Sequence, residues 1–282
     1  MSQVQLPYFD FLLSELEKGN SAVEKSFGRH VHWGYWENPA AATYTDEDYA
    51  RAAEQLTLEL CGMADLQEGQ QILDVGCGFG GTIASLNERF DNLQLTGLNI
   101  DARQLERARQ TVLPRAGNTI AFQQGDACAL PFADNSFDRI LAVECIFHFP
   151  SREDFFREVH RVLRPGGTLA LSDFVPSPGF VPVCKLGALP WFRKLNMIGD
   201  WNVQYTAARY RQLAAQSGVA PVVERNVSLN TLPTYTYIQK MLARAGSEPD
   251  FTGRIFSKLL DLNRWLGRTG LLNYYFLSFK KP

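Results

Sequence analysis

The sequence predicts an α/β fold, doubly wound around a mostly parallel sheet, on three observations. From residue 71 onward, short apolar runs alternate with amphipathic helical patterns. Those runs are apolar almost without interruption, as strands covered on both faces are. The first of them, "QILDV", ends in "GCGFGG", where a strand turns tightly into a helix and a ligand comes too close for a Cβ. At 282 residues the chain is ample for a sizeable core.

The elements follow in order. "YFDFLLSELEKGN" is short, amphipathic and helical. After the aromatic-rich "HVHWGYWENP", the acidic cluster "TDED" caps a longer helix through "YARAAEQLTLELCGMADL". Strands come from "QILDV", "LQLTGLNI", "TIAFQQ", "FDRILAVECI" and "GTLALSDFV", with helices "GTIASLNERF", "DARQLERARQTVL" and "SREDFFREVHRVL" between them. After Val175 the alternation breaks into prolines, glycines and large apolar residues. At that length a structureless loop is a poor account, so residues 176–204 are expected to form a lid over an apolar substrate. "TAARYRQLAAQSG" then reads as a helix and "VAPVVERNVSL" as a strand. A further helical region leads to a last strand, "LLNYYFLSFKK". The expected organisation is one domain, 1–282. It comprises a helical cap (1–69), a ligand-binding core (70–175), the lid (176–204) and a C-terminal completion of the sheet (205–282).

Composition narrows the class. Hydrophobic residues at 45% and charged residues at 21% suit a soluble globular protein. A net charge of −2 gives no electrostatic reason to expect nucleic acid or an anionic membrane as partner. Cys61, Cys77, Cys128, Cys145 and Cys184 are scattered and odd in number, which points to reduced thiols in the cytoplasm rather than disulfides or a zinc cluster. No metal site is expected. The first residues lack a basic region followed by an apolar run, and no apolar stretch approaches the ~20 residues that span a bilayer. Neither a signal peptide nor integral membrane association is therefore expected.

The glycines admit two ligands. Gly76, Gly78 and Gly81 fit the G-x-G-x-x-G turn of dinucleotide sites, whereas Gly76, Gly78 and Gly80 fit the G-x-G-x-G turn of S-adenosylmethionine enzymes. Neighbouring residues decide between them. Asp74 precedes the turn; a carboxylate there would repel a pyrophosphate and attracts the ammonium and sulfonium of S-adenosylmethionine. The second strand ends in Asn99 rather than the acid of an NAD site, with Gln104 one helical turn on, and both amides suit ribose hydroxyls. Asp101 suits the helix N-cap. After the third strand, Asp126 can accept from an adenine amine while the Ala127 backbone addresses the ring edge.

These residues resemble the class I S-adenosylmethionine-dependent methyltransferases. The likeness runs from about Gln70 to Val175, through "LDVGCGFGG", "GLNID", "GDACALPFADNSFD" and "FFREVHRVLRPGGTLALSDF". "HWGYW", "GLNI" and "ECIFHFPSREDFFREVHRVLRPGG" narrow it to the small-molecule branch, which holds sterol and tocopherol C-methyltransferases and O- and N-methyltransferases of natural-product and sugar pathways. The resemblance implies a Rossmann-like, seven-stranded sheet with a C-terminal antiparallel strand, and S-adenosylmethionine as cofactor. It assigns Asp74, Gly76, Gly78 and Gly80 to the methionine end of the donor. Asn99, Ile100 and Gln104 fall to the ribose, Asp126 and Ala127 to the adenine. Phe147-His148 stands where several O-methylating relatives carry adjacent histidines, so only the second position matches.

Methyl transfer from a sulfonium is an in-line displacement that needs alignment, exclusion of water and, for a hydroxyl acceptor, removal of a proton. The fold brings such groups to the carboxyl ends of the strands. Glu144 and His148 follow the fourth strand and Asp173 ends the fifth; His148 suits a general base, with Asp173 orienting its ring. Trp33, Tyr35, Trp36, Phe147, Trp191 and Trp201 are expected to bind an apolar acceptor, and His32 to hydrogen-bond within its own segment. The expected function is methyl transfer to a small, rather hydrophobic metabolite, with O-methylation preferred. C- or N-methylation and a donor-binding cyclase on the same fold are the alternatives, and a homodimer is left open.

Overall fold

The computed structural model describes residues 6–115, 117–187, 201–244 and 251–282. In chain order the strands are β1 (Gln71–Val75), β2 (Gln94–Asn99), β3 (Thr119–Gln124), β4 (Phe137–Ala142), β5 (Leu163–Pro176), β6 (Ala220–Asn226) and β7 (Leu272–Lys280). They lie in the order β3-β2-β1-β4-β5-β7-β6. Strands β1 to β5 are parallel, and β7 runs antiparallel between β5 and β6. The expected mixed sheet is therefore present. Its order reverses between β1 and β4, the point where such sheets open a crevice at the strands' carboxyl ends.

The helices are α1 (Pro7–Glu17), α2 (Ser21–Phe27), α3 (Asp46–Met63), α4 (Gly81–Arg89), α5 (Ala102–Thr111), α6 (Arg152–Val162), α7 (Val181–Gly187), α8 (Ala207–Ser217), α9 (Ser228–Thr231), α10 (Pro233–Arg244) and α11 (Phe251–Arg268). Several start where the sequence says they should. The Thr45 hydroxyl accepts from the Asp48 amide at 3.2 Å to open α3, and the Asp101 carboxylate accepts from the Arg103 amide at 2.9 Å to open α5. Helix α2, which the periodicity does not reveal, is held by the Asn20 side chain accepting from the Ala22 and Val23 amides.

Alternation along the strands sorts their side chains into two layers. Leu73 and Val75 of β1, Ile140 and Ala142 of β4, and Leu169, Leu171 and Val175 of β5 pack against α6 and α8. Ile72, Leu141 and Ala170 face the opposite way, against α3 and α4. A third cluster at the carboxyl end of the sheet gathers Phe147, Phe174, Tyr274 and Phe276 with Leu56 and Leu60 of α3.

The expected lid begins with a 3-10 turn, Pro178–Phe180, and α7. Residues 188–200, Trp191 among them, lie outside the described residues. Where the chain resumes, the Asn202 amide donates to the Phe147 carbonyl at 2.8 Å, so this segment borders the third cluster. Among the described residues no helix is long and apolar enough to cross a membrane.

Candidate active site

The glycine turn leaves β1 at the switch point. Gly76, Gly78 and Gly80 adopt φ of +73°, +53° and +82°, a region in which any Cβ is strained. The Gly76 and Cys77 amides both donate to the Leu98 carbonyl, at 2.8 and 3.0 Å, which fixes the turn to the end of β2. A Cβ on Gly76 would stand 2.6 Å from that of Cys145, whereas one on Gly78 would meet nothing within 4 Å among the described residues. At Gly78 the backbone is bare toward the crevice.

Asp74 is 1% exposed, and among the described residues its Oδ2 accepts no hydrogen bond. Burial pushes its carboxyl up to about 8, with a hydrogen bond from Thr82 acting in the opposite sense. A buried carboxylate with one oxygen unsatisfied is costly, and a cation beside it reduces the cost. Asp74 thus fits the charged end of S-adenosylmethionine, and the bare backbone at Gly78 fits a ligand that lies against it.

The amides assigned to the ribose come together. Asn99 Nδ2 donates to Gln104 Oε1 at 2.9 Å, and Asn99 Oδ1 accepts from the Asp101 amide at 3.3 Å. Ile100 follows at the bend after β2. Beyond β3, Asp126 Oδ1 accepts from the Cys128 amide at 2.8 Å, which closes its own turn, and Ala127 is buried beside it.

On the other side of the turn, Glu144 sits in a left-handed conformation (φ +52°) just past β4. Its Oε2 accepts from the Trp33 amide at 2.8 Å and from the Tyr274 hydroxyl at 2.6 Å. The Ser172 hydroxyl lies 3.1 Å from Tyr274 Oη and accepts from the Glu144 amide at 3.0 Å. Burial pushes the Glu144 carboxyl up to about 8, against the pull of the Tyr274 and Trp33 donors. His148 ends the adjoining 3-10 turn. Its Nε2 shares a hydrogen bond with Tyr8 Oη at 3.3 Å, and the two rings stack at 6.0 Å. Aromatic rings surround these polar groups. Phe174 meets Trp33, Phe147, Trp201 and Tyr274 edge-on, with centroids 5.0–6.0 Å apart, and Tyr235 of α10 lies 4.3 Å from Trp33.

A methyltransferase-domain family model matches residues 73–171. The chain is 32% identical over 279 residues to 27-O-demethylrifamycin SV methyltransferase of Amycolatopsis mediterranei (strain S699), covering 95% of this chain and 97% of that protein. The chain belongs to the S-adenosylmethionine-dependent methyltransferases. It is also 39% identical over 160 residues to methyltransferase GfsG of Streptomyces halstedii, a match spanning 56% of each protein. Among solved structures, the [4+2]-cyclase SpnF shares the fold with a TM-score of 0.71 and 22% identity, over 93% of both chains.

In this methyltransferase three residues assigned from sequence fall elsewhere. Asp173 follows the alternation of Leu169 and Leu171 and therefore points to the α6 side of the sheet. There its Oδ2 accepts from Arg152 Nη2 at 2.7 Å and from the Tyr210 hydroxyl, and both charged side chains are sealed from solvent. It is committed to a structural ion pair and does not orient the His148 ring. The residues of β5 that do face Glu144 and the aromatic cluster are Ser172 and Phe174. Trp36 is 7% exposed in the layer formed by α1, α2 and α3, with Nε1 donating to Asp48 at 3.1 Å; it is core. Tyr35 packs at the β6 edge of the third cluster, its ring against Phe276 and the Arg225 guanidinium that pairs with Glu59.

Four residues near the site escape sequence reasoning: Tyr8, Ser172, Tyr235 and Tyr274. Tyr8 and Tyr274 reach their partners across 140 and 130 residues of chain, and no local pattern marks them. The two cap histidines form their own network. Burial and its neighbour His30 push His32 down to about 3, and its neutral ring bonds the Trp33 carbonyl at 2.9 Å, Thr57 at 3.0 Å and His30 at 3.1 Å.

Proposed function

We propose that this methyltransferase acts on a hydroxyl of a small, rather hydrophobic metabolite. One observation carries the reading: His148 and Tyr8 share a hydrogen bond beside the aromatic cluster in which Trp33, Phe147 and Trp201 pack on Phe174. The donor supplies an electrophilic methyl group. Asp74 holds its cationic end, Gly78 lets it lie against the backbone, and Asn99 and Gln104 address its ribose. The aromatic rings orient an apolar acceptor and exclude water. His148 takes the acceptor proton, and Tyr8 fixes the imidazole from above. Glu144, held by Tyr274 and the Trp33 amide, accepts from a second polar group of the acceptor. The likeness to 27-O-demethylrifamycin SV methyltransferase and the scattered, free cysteines support an O-methylating enzyme of the cytoplasm.

His148→Ala tests the assignment once mass spectrometry of metabolite extracts has identified a methylated product. Turnover should fall by ~10²–10⁴-fold, while affinity for S-adenosylhomocysteine stays at the wild-type value. Near-complete turnover in this variant would move the reading to C-methylation, with Glu144 and the rings as the sensitive positions. Donor binding with no methylated product would move it to a cyclase-like enzyme.

A further inference from the structure

The net charge of −2 conceals a local excess on α11. This helix carries Arg254, Lys258, Arg264 and Arg268 against a single carboxylate, Asp261, which Arg264 engages at 3.2 Å. Its inner face, Leu260 and Leu266, is buried, and Leu266 belongs to the aromatic cluster. Its outer face presents Arg254, Lys258, Leu262, Trp265 and Arg268, spaced by three and four residues and so on one side. Leu262 is 49% and Trp265 54% exposed, an apolar pair bracketed by cations. No carboxylate pairs with Arg254, Lys258 or Arg268 among the described residues.

Helix α7 repeats the pattern. Val183 and Leu186 stand 51% and 58% exposed, with Lys185 between them. The segments that flank them come together, because the Ser177 amide, ahead of α7, donates to the Leu271 carbonyl, after α11, at 2.9 Å. Phe180 and Cys184 on one side, and Leu266 and Leu271 on the other, pack on the cluster that holds Phe174 and Tyr274. The exposed apolar pairs are thus the outer surface of the elements that cover the acceptor side of the site.

We propose that this face docks the enzyme on an anionic lipid surface. Exposed Trp and Leu enter the headgroup boundary while the flanking cations meet lipid phosphates, a combination of weak apolar and electrostatic terms that holds a protein reversibly at a bilayer without spanning it. An apolar acceptor dissolved in the lipid would then reach the aromatic cluster between α7 and α11. That route rests on the acceptor reading above; the docking does not.

The test uses the full chain without acceptor, sedimented with phosphatidylcholine vesicles or with mixed phosphatidylglycerol–phosphatidylcholine vesicles. The protein should pellet with the anionic vesicles only, and added salt should release it. Changing Arg254, Lys258 and Arg268 together to Gln should weaken partitioning on the order of a hundredfold, about fivefold per cation. Trp265→Ser should weaken it as well. Both variants should keep wild-type affinity for S-adenosylhomocysteine, which separates lost docking from lost folding. Equal pelleting with both vesicle types, or undiminished pelleting of the variants, overturns the proposal. So does a dimer that Trp265→Ser converts to monomer, which would give the face to a second copy of the chain.

Discussion

Asp74 shows how much a single side chain can hold in tension. Its carboxyl, pushed up to about 8 by burial, keeps its proton in the folded protein while an unfolded aspartate releases it near ~3.9. Without donor, stability should therefore fall as pH rises from about 4 to 8 and level off above. Glu144, pushed up to about 8 as well, adds to the same slope, so Asp74→Asn should make it shallower without abolishing it and should melt higher than the wild type at pH ~8, as calorimetry across pH would register. The same substitution should cost ~1.5–3 kcal/mol of S-adenosylhomocysteine affinity, since the charge-assisted contact is gone. An Asn variant that binds as tightly as wild type removes Asp74 from the donor site. The residue was legible because it stands two positions from a glycine motif, in a local pattern with a local cause. Asp173 was not. Its strand is buried on both faces, so the polar pair Ser172-Asp173 carries no periodic signal to say which member faces the acceptor. Only the alternation fixed by pairing with β4 and β7 decides that.

At the scale of elements, the Arg152–Asp173–Tyr210 group joins α6, β5 and α8 beneath the sheet. Asp173→Asn leaves Arg152 buried without its counter-charge, and the fold should lose ~3–5 kcal/mol in denaturant melts. The folded fraction should keep wild-type affinity for S-adenosylhomocysteine; a loss of affinity with unchanged stability would restore Asp173 to the active site. Helix α1 behaves differently. It reaches the site through Tyr8 on His148 and through Phe9, whose ring lies 5.7 Å from Phe79 in the glycine turn. Hydrogen exchange of α1 should accordingly slow when S-adenosylhomocysteine settles the turn; exchange that ignores the ligand would mark α1 as independent of the donor. The sequence showed α1 by its apolar periodicity and α3 by periodicity and its N-cap. It hid α2, whose seven residues make barely two turns, and it gave no sign that α1 reaches His148.

Across the whole molecule, the alternation of strands and helices was enough to predict a parallel sheet, because each strand is buried by its own crossover. The placement of β7 between β5 and β6 was not readable from periodicity, and the family resemblance implied only that a last strand runs antiparallel. Donor binding acts on this whole unit. S-adenosylhomocysteine at about a hundred times its Kd should stabilise the fold by ~2.7 kcal/mol, raising Tm by about 5 °C, and Asp74→Ala should erase most of that gain. A last consequence lies in Gly81, the first residue of α4. A Cβ there would fall 2.5 Å from both the Arg29 carbonyl oxygen and His30 Nδ1, so the cap is seated directly on the donor turn. The segment that begins at Arg29 continues through His32 to Trp33, whose amide holds Glu144. Cap and turn are matched halves, like a key cut to one lock. A cap exchanged for another segment would have to present the same close-fitting shape to a glycine at position 81, so cap and turn would need to be changed together.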